Sequence, residues 1–363
     1  MNIATLVQAG WSGTNQTPLN ELDIAFAHLL QHLQASEDQR HLWLAALASH
    51  QWGRGHACFE VPTSMDEAAD VLAWPAPALQ ALPADLSQAL SSLPWAQGDA
   101  SPLVLDGQRL YLRRAWAAEQ CIRERLQSLQ AQHFETPPAL EPQLNTLFET
   151  ANTDDPQRRA CAHAATHAVT LITGGPGTGK TSTVVKLLRL LQATSEQPLR
   201  TLLTAPTGKA AARLAQAMAQ VRQTLPDDQA ACLPLEAHTL HKLLQTAPHN
   251  KAPQLQADVV VVDEASMIDL ELMARLLAAV PASARLILLG DKDQLASVEA
   301  GAVMAQLCQA PWLAANTIAL THSHRFDANK GIGQWAKAAN AGDTEALQQL
   351  WRAAPEACLP ADS

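Results

Sequence analysis

The sequence predicts an α/β fold: an open, mostly parallel sheet with helices on both faces, preceded by a small, mostly helical domain. Three observations predict it. From residue 169 onward, short and nearly continuous β-rich apolar runs alternate with amphipathic stretches, the pattern of buried parallel strands joined by helices. The first of these runs leads straight into a glycine-rich loop and then a helix-forming segment. Before residue 148 the alternation is missing, and apolar positions recur mostly at helical spacing.

In chain order, residues 20–50 place Ile24, Leu29, Leu30 and Leu33, then Leu42, Leu44 and Leu47, at helical period. A loop with Gly53 and Gly55 follows, then proline-rich segments around 75–77 and 94–102. LVLDGQRLYLRR (103–114) reads as a strand, an Asp106-Gly107 turn and a second strand. Residues 115–134 read as helix, and Pro137, Pro138 and Pro142 mark a linker. Beyond it, VTLIT (169–173), TLLT (201–204), DVVVVD (258–263) and RLILLG (285–290) are the expected strands. Segments 180–193, 208–223 and 268–279 are the helices between them. Domains are expected at 1–120, with a connector at 121–150, and at 151–320, leaving 321–363 as a fourth segment.

The chain has 363 residues, 47% hydrophobic and 17% charged, enough apolar material for two or three cores. No run of uninterrupted apolar residues approaches a membrane span, and MNIATLVQAGWSG lacks the pattern of a signal peptide. Cys58, Cys121, Cys161, Cys232, Cys308 and Cys358 are scattered with no C-x-x-C pair. That spacing suits neither zinc nor a disulfide framework, and a cytoplasmic location with reduced thiols is expected. Residues 1–148 carry 7 Arg, no Lys and 15 acids, whereas 149–311 carry 14 basic against 15 acidic residues. A polyanion would therefore meet the middle of the chain rather than its start. Phe, Tyr and Trp are absent between Phe148 and Trp312.

Chemistry concentrates in four places. GGPGTGKT runs Gly174, Gly175, Pro176, Gly177, Thr178, Gly179, Lys180, Thr181, between a strand and a helix, with Ser182 next. Glycines let backbone N–H groups curl around phosphate oxygens, and the helix N-terminus adds partial positive charge. Lys180 is placed for the β- and γ-phosphates and Thr181 for Mg²⁺, so ATP and Mg²⁺ are the expected cofactors. VVVVDEAS (259–266) ends a buried strand in two carboxylates: Asp263 to hold the metal, Glu264 to orient and deprotonate water. Alone, it would equally be a solvated strand terminus. Gln294 in GDKDQL (290–295) follows the next strand, where its amide can reach a γ-phosphate and the water; an Asp-rich turn is the other reading. In TAPTGKAAARL (204–214), Thr207, Gly208 and Lys209 offer hydroxyl, N–H and ammonium to a nucleic-acid phosphate, or else simply start a helix.

In this order, the phosphate loop, TAPTGKAAARL, VVVVDEASMID, LGDKDQLASVEAGAV and SHRF resemble the motifs of superfamily 1 DNA helicases. More closely, the sequence resembles the alpha-subunit family of bacterial exodeoxyribonuclease V. SHQWGRGHACF (49–59) and DGQRLYLRRAW (106–116) extend the likeness through the N-terminal part. The resemblance implies a RecA-like P-loop NTPase lobe over 151–320 that moves 5′→3′ on single-stranded DNA from DNA ends. It implies a partner-docking domain at 1–120, beta and gamma subunits as partners, nuclease activity in a partner, and no membrane. It further implies that Gln157 reads the adenine edge, that Arg325 reaches the γ-phosphate from a second lobe, and that Thr239 and His241 lie by the DNA track. Family members continue through a full second lobe, so 321–363 is expected to be only its start, and this chain alone to translocate poorly. A stand-alone helicase of the same kind, or a truncated partner-binding protein with a vestigial ATPase, are the alternatives.

Overall fold

Asn20 opens the first helix, Glu21–Leu33, with a reciprocal cap: its side chain accepts from the Asp23 amide and the Asp23 carboxylate accepts from its own amide. The computed structural model describes residues 18–148, 154–227, 230, 233–244, 253–294, 301, 303–321, 334–335, 338–339 and 342–353. Two compact units result, one formed mainly by residues up to Arg125 and one built around a parallel sheet.

In the first unit, helix Gln39–Gly53 is buried almost throughout. Trp43, Leu44, Leu47, Phe59, Leu72, Leu93, Trp95, Leu103 and Leu110 form its core. The Asp23 carboxylate is buried there and also accepts from Ser49 Oγ at 2.7 Å and His50 Nδ1 at 3.3 Å. Trp74 Nε1–H donates to His50 Nε2 at 3.1 Å; a donor there fixes the tautomer, so Nδ1 carries the proton given to Asp23. This anchoring sets the helix rotation. Leu30 is buried as expected, but Leu29 and Leu33 are 52% and 70% exposed, because the inward face runs through Asp23, Ala27 and Leu30.

The hairpin expected at 103–114 is present as β2 (Leu103–Asp106) and β3 (Arg109–Leu112), with Gly107 in the left-handed region at φ 61°. A left-handed first loop residue matches the twist of a two-residue hairpin. A third strand, β1 (Cys58–Glu60), pairs antiparallel with β3, giving the order β1-β3-β2. Arg113–Gln130 and Leu140–Phe148 are helical, and the latter packs Leu140, Leu144 and Phe148 into the core of the second unit.

Among the described residues, the sheet of the second unit has six strands in the order β6-β5-β7-β8-β4-β9, and every pairing in it is parallel. β4 (Val169–Thr173), β5 (Thr201–Ala205), β7 (Val259–Val262) and β8 (Arg285–Gly290) fall on the four expected apolar runs. β4 and β7 are buried at every residue, as strands covered on both faces must be. Helices Lys180–Ala193, Gly208–Arg222 and Leu270–Ala279 match the expected crossovers. The two edge strands, β6 (Ala237–Thr239) and β9 (Thr317–Ala319), were not expected. Three residues at a sheet edge carry too little apolar period to register. Among the described residues, no helix is long and apolar enough to cross a membrane.

Candidate functional site

All the strands of this sheet point the same way, so the segments that follow them emerge along one edge. Register aligns Thr173 of β4 with Gly290 of β8 and Ala319 of β9, and Thr204 of β5 with Val262 of β7. Ala205 aligns with Thr239 of β6. The phosphate loop, TAPTGK, EAHTLHK, DEAS and GDKDQL thus leave from the carboxyl ends of neighbouring strands, where ligands of open α/β sheets bind.

Backbone requirements fix the loop after β4. Gly177 and Gly179 hold left-handed φ values of 79° and 85°, which cost a side-chain-bearing residue about 1–2 kcal/mol. A Cβ on Gly174 would stand 2.6 Å from Thr178 Oγ1 and 2.9 Å from the Leu320 carbonyl. Gly174 N donates to the Gly290 carbonyl, tying the loop to β8, and Thr178 Oγ1 donates to the Gly175 carbonyl. Lys180 begins the helix, and its Nζ donates to the carbonyls of Gly174 and Gly175, at 2.5 and 3.3 Å. The ammonium therefore rests at the mouth of the loop. Thr181 and Ser182 follow in the first helical turn.

Asp155 starts the helix Pro156–Thr166 by accepting from the Gln157 amide. The Gln157 side chain then reaches Thr178 O at 3.5 Å and Lys186 Nζ at 3.5 Å. A cavity of about 490 Å³ opens here, lined by Asp154, Asp155, Gln157, Thr178, Gly179, Ser182, Lys186 and Leu320, among others. Gln157 and the phosphate loop thus face one space.

Asp263 follows β7, and its amide bonds the Thr204 carbonyl while Oδ1 accepts from the Glu264 amide at 2.9 Å. Burial pushes its carboxyl above the usual range and the Glu264 charge adds to this; the Glu264 amide and the Lys180 ammonium pull the other way. Glu264 itself sits at φ 53°, ψ 39°, a left-handed conformation for a non-glycine residue. Such strain costs roughly 1–3 kcal/mol and gathers at functional sites. Gln294 accepts on Oε1 from Ser266 Oγ at 2.9 Å.

The remaining expected residues lie on the β5–β6 side. Thr207 caps the helix Gly208–Arg222 by accepting from the Ala210 amide, and Lys209 is exposed. Thr239 caps a single helical turn, Leu240–Leu243, by accepting from the Lys242 amide; His241 is exposed. Both threonines keep their hydroxyl proton to donate. Arg325 lies outside the described residues.

Four contributors were not identified from sequence. Ser266 holds Gln294, and Lys186 holds Gln157 while stacking its ammonium 4.2 Å from the Phe148 ring centre. Asp291 turns a carboxylate toward Gly175, and Gly290 admits the close backbone of Ser266. Gly290 and Asp291 lie inside GDKDQL and Ser266 closes VVVVDEAS, so three of the four sat within motifs the sequence displays, and Lys186 did not.

Known proteins resemble both units. A family model described as the RecBCD enzyme subunit RecD, N-terminal domain, matches residues 15–111, and one described as an AAA domain matches residues 157–300. The RecBCD enzyme subunit RecD of Mycobacterium tuberculosis is 40% identical over 354 residues, 92% of this chain and 59% of that protein. Over most of its length the chain is similar to the RecBCD enzyme subunit RecD. The same subunit of Haemophilus influenzae is 32% identical over 93% of this chain and 63% of its own length. The ATP-dependent RecD2 DNA helicase of Deinococcus radiodurans is 39% identical over 47% of this chain and 22% of that protein. The chain thus spans about three fifths of the length of the first two relatives.

Proposed function

We propose that this chain carries the ATP-binding lobe of a 5′→3′ single-stranded DNA translocase, the helicase subunit of a cytoplasmic exonuclease V complex that repairs double-strand breaks. One observation carries this reading: the phosphate loop, the Asp263–Glu264 pair, Gln294 and the Thr207–Lys209 turn share the carboxyl edge of one parallel sheet. That shared edge supports a reading in which phosphate chemistry and a track for a polyanion sit on one frame.

In this reading the loop amides from Gly174 to Thr181 cradle the phosphates of ATP, and Lys180 leaves the loop carbonyls for the β- and γ-oxygens. Gln157 meets the adenine edge in the cavity it lines. Thr181 and Asp263 hold Mg²⁺. A hydroxyl and a carboxylate are the hard oxygen donors that ion takes, with phosphate and water filling its shell. The ion, when bound, neutralises charge on the transferred group. Glu264 takes the proton of the attacking water, and Gln294 donates to the γ-phosphoryl group. Arg325 supports the same charge from the second lobe. Along the same edge, toward β5 and β6, Thr207, Gly208 and Lys209 hold a DNA phosphate, with Thr239 and His241 beside them.

The N-terminal match to the RecD family favours a subunit that docks on beta and gamma partners over a stand-alone helicase. We assign residues 1–120 to that docking, 121–150 to a connector, 151–320 to the first motor lobe and 321–363 to the start of a second. Strand displacement by the chain reconstituted with its partner subunits tests the reading. Duplexes with a 5′ tail should be opened in preference to those with a 3′ tail, and Lys180→Ala should remove that preference. The opposite polarity would refute it.

A further inference from the structure

Ser266 stands two residues beyond the strained Glu264, in the short 3-10 segment Ala265–Met267, and is 7% exposed. Its hydroxyl donates to Gln294 Oε1 at 2.9 Å across 28 residues of chain, linking the end of β7 to the end of β8. The backbone around the pair is held from both sides. A Cβ on Gly290 would lie 3.0 Å from the Ser266 amide nitrogen, so the two strand ends already touch. On the Gln294 side, its amide donates to the Asp291 carbonyl and closes the turn that carries it.

A glutamine amide has two chemically opposite ends, an acceptor oxygen and a donor NH₂, and a free side chain presents either. With Oε1 taken by the buried Ser266 hydroxyl, the NH₂ is the end turned to a ligand. We propose that Ser266 is a positioning residue that locks the Gln294 amide as a donor, aimed at the phosphoryl group in transfer rather than at the attacking water. Negative charge grows on the phosphoryl oxygens as the bond to the leaving group loosens, and a donor already oriented there strengthens in the transition state without reorganising. The inference rests on the phosphate-site reading of the previous section.

The test is a double-mutant cycle on the full chain, with Ser266→Ala, Ser266→Thr, Gln294→Ala and the double variant Ser266→Ala/Gln294→Ala. The probes are ADP with Mg²⁺, and ADP with Mg²⁺ and aluminium fluoride as mimic of the group in transfer. Ser266→Ala should weaken the aluminium fluoride complex about tenfold relative to wild type, a typical worth for one oriented donor. ADP affinity should stay unchanged, Ser266→Thr should restore the wild-type value, and Ser266→Ala should have no further effect once Gln294 is alanine. Equal losses in both backgrounds, or parallel losses for ADP and the mimic, would overturn the positioning role while leaving the phosphate site standing. Failure of wild type to bind ADP at all would overturn the phosphate site and this inference with it.

Discussion

Gly174 and Gly175 are adjacent in the phosphate loop and should respond oppositely to a methyl group. A Cβ on Gly174 meets Thr178 Oγ1 and the Leu320 carbonyl well inside contact distance, whereas on Gly175 its nearest neighbour is Asp291 Oδ2 at 4.0 Å. Gly174→Ala should abolish nucleotide binding in a calorimetric titration and Gly175→Ala should largely keep it; equal behaviour would contradict the loop geometry. Asp263 gives a second residue-level test. Burial raises its folded pKa above the ordinary 3.8, so its contribution to stability is fully present below that value and is lost as pH rises through the folded pKa. Above the unfolded value the buried carboxyl is therefore a load on the fold. Asp263→Asn should melt at a higher temperature than wild type at pH 7 while losing turnover, and the gain should vanish in acid. A lower melting temperature at pH 7 would show that the carboxylate is instead well paired. Stability given up at the residue proposed to hold the metal is the usual cost of a working site.

The elements were legible to different degrees, for physical reasons. β4, β5, β7 and β8 announced themselves because burial on both faces demands unbroken apolar runs, and the helices between them keep a clear 3.6-residue period. β6 and β9 are defined by pairing at the sheet edges, which composition does not encode. Lys180, Glu264 and Gln294 were readable because each follows directly on a strand or glycine loop. Ser266 and Lys186 were not, since each acts through a partner about 28 residues away that only folding brings near. Helix Pro156–Thr166 shows another such arrangement at its C-terminal end. His163 stacks on His167 with ring centres 3.9 Å apart, His133 stands edge-on to His167, and His163 Nδ1 pairs with Thr170 Oγ1. Burial, and then the charges of His167 and His133, push the His163 pKa down to about 4 from 6.5. A neutral folded histidine stabilises above 6.5, and that stability is lost as pH falls toward 4, because the unfolded chain binds the proton first. Urea denaturation at a series of pH values should show this decline, and His163→Gln should flatten it. An unchanged pH profile in the variant would place the dependence elsewhere.

For the whole molecule, the absence of Phe, Tyr and Trp from 149 to 311 becomes a statement about grip. Single-strand binders commonly stack bases on aromatic rings, each worth about 1–3 kcal/mol, and this stretch has none to stack. The sheet edge offers Thr207, Lys209 and Thr239 instead, groups suited to phosphates. Single-stranded DNA affinity should fall steeply with salt, and Lys209→Ala should weaken it and reduce the log–log slope by about 0.7, the share of one phosphate contact. A slope unaffected by that change would remove Lys209 from the track. The central claim is that one sheet edge couples phosphate chemistry to DNA. Steady-state ATP turnover with and without single-stranded DNA, for wild type and Lys180→Ala, tests it most directly. Turnover should be stimulated by DNA and abolished by Lys180→Ala; nucleotide binding with no turnover in either condition, or turnover indifferent to DNA, would refute the coupling.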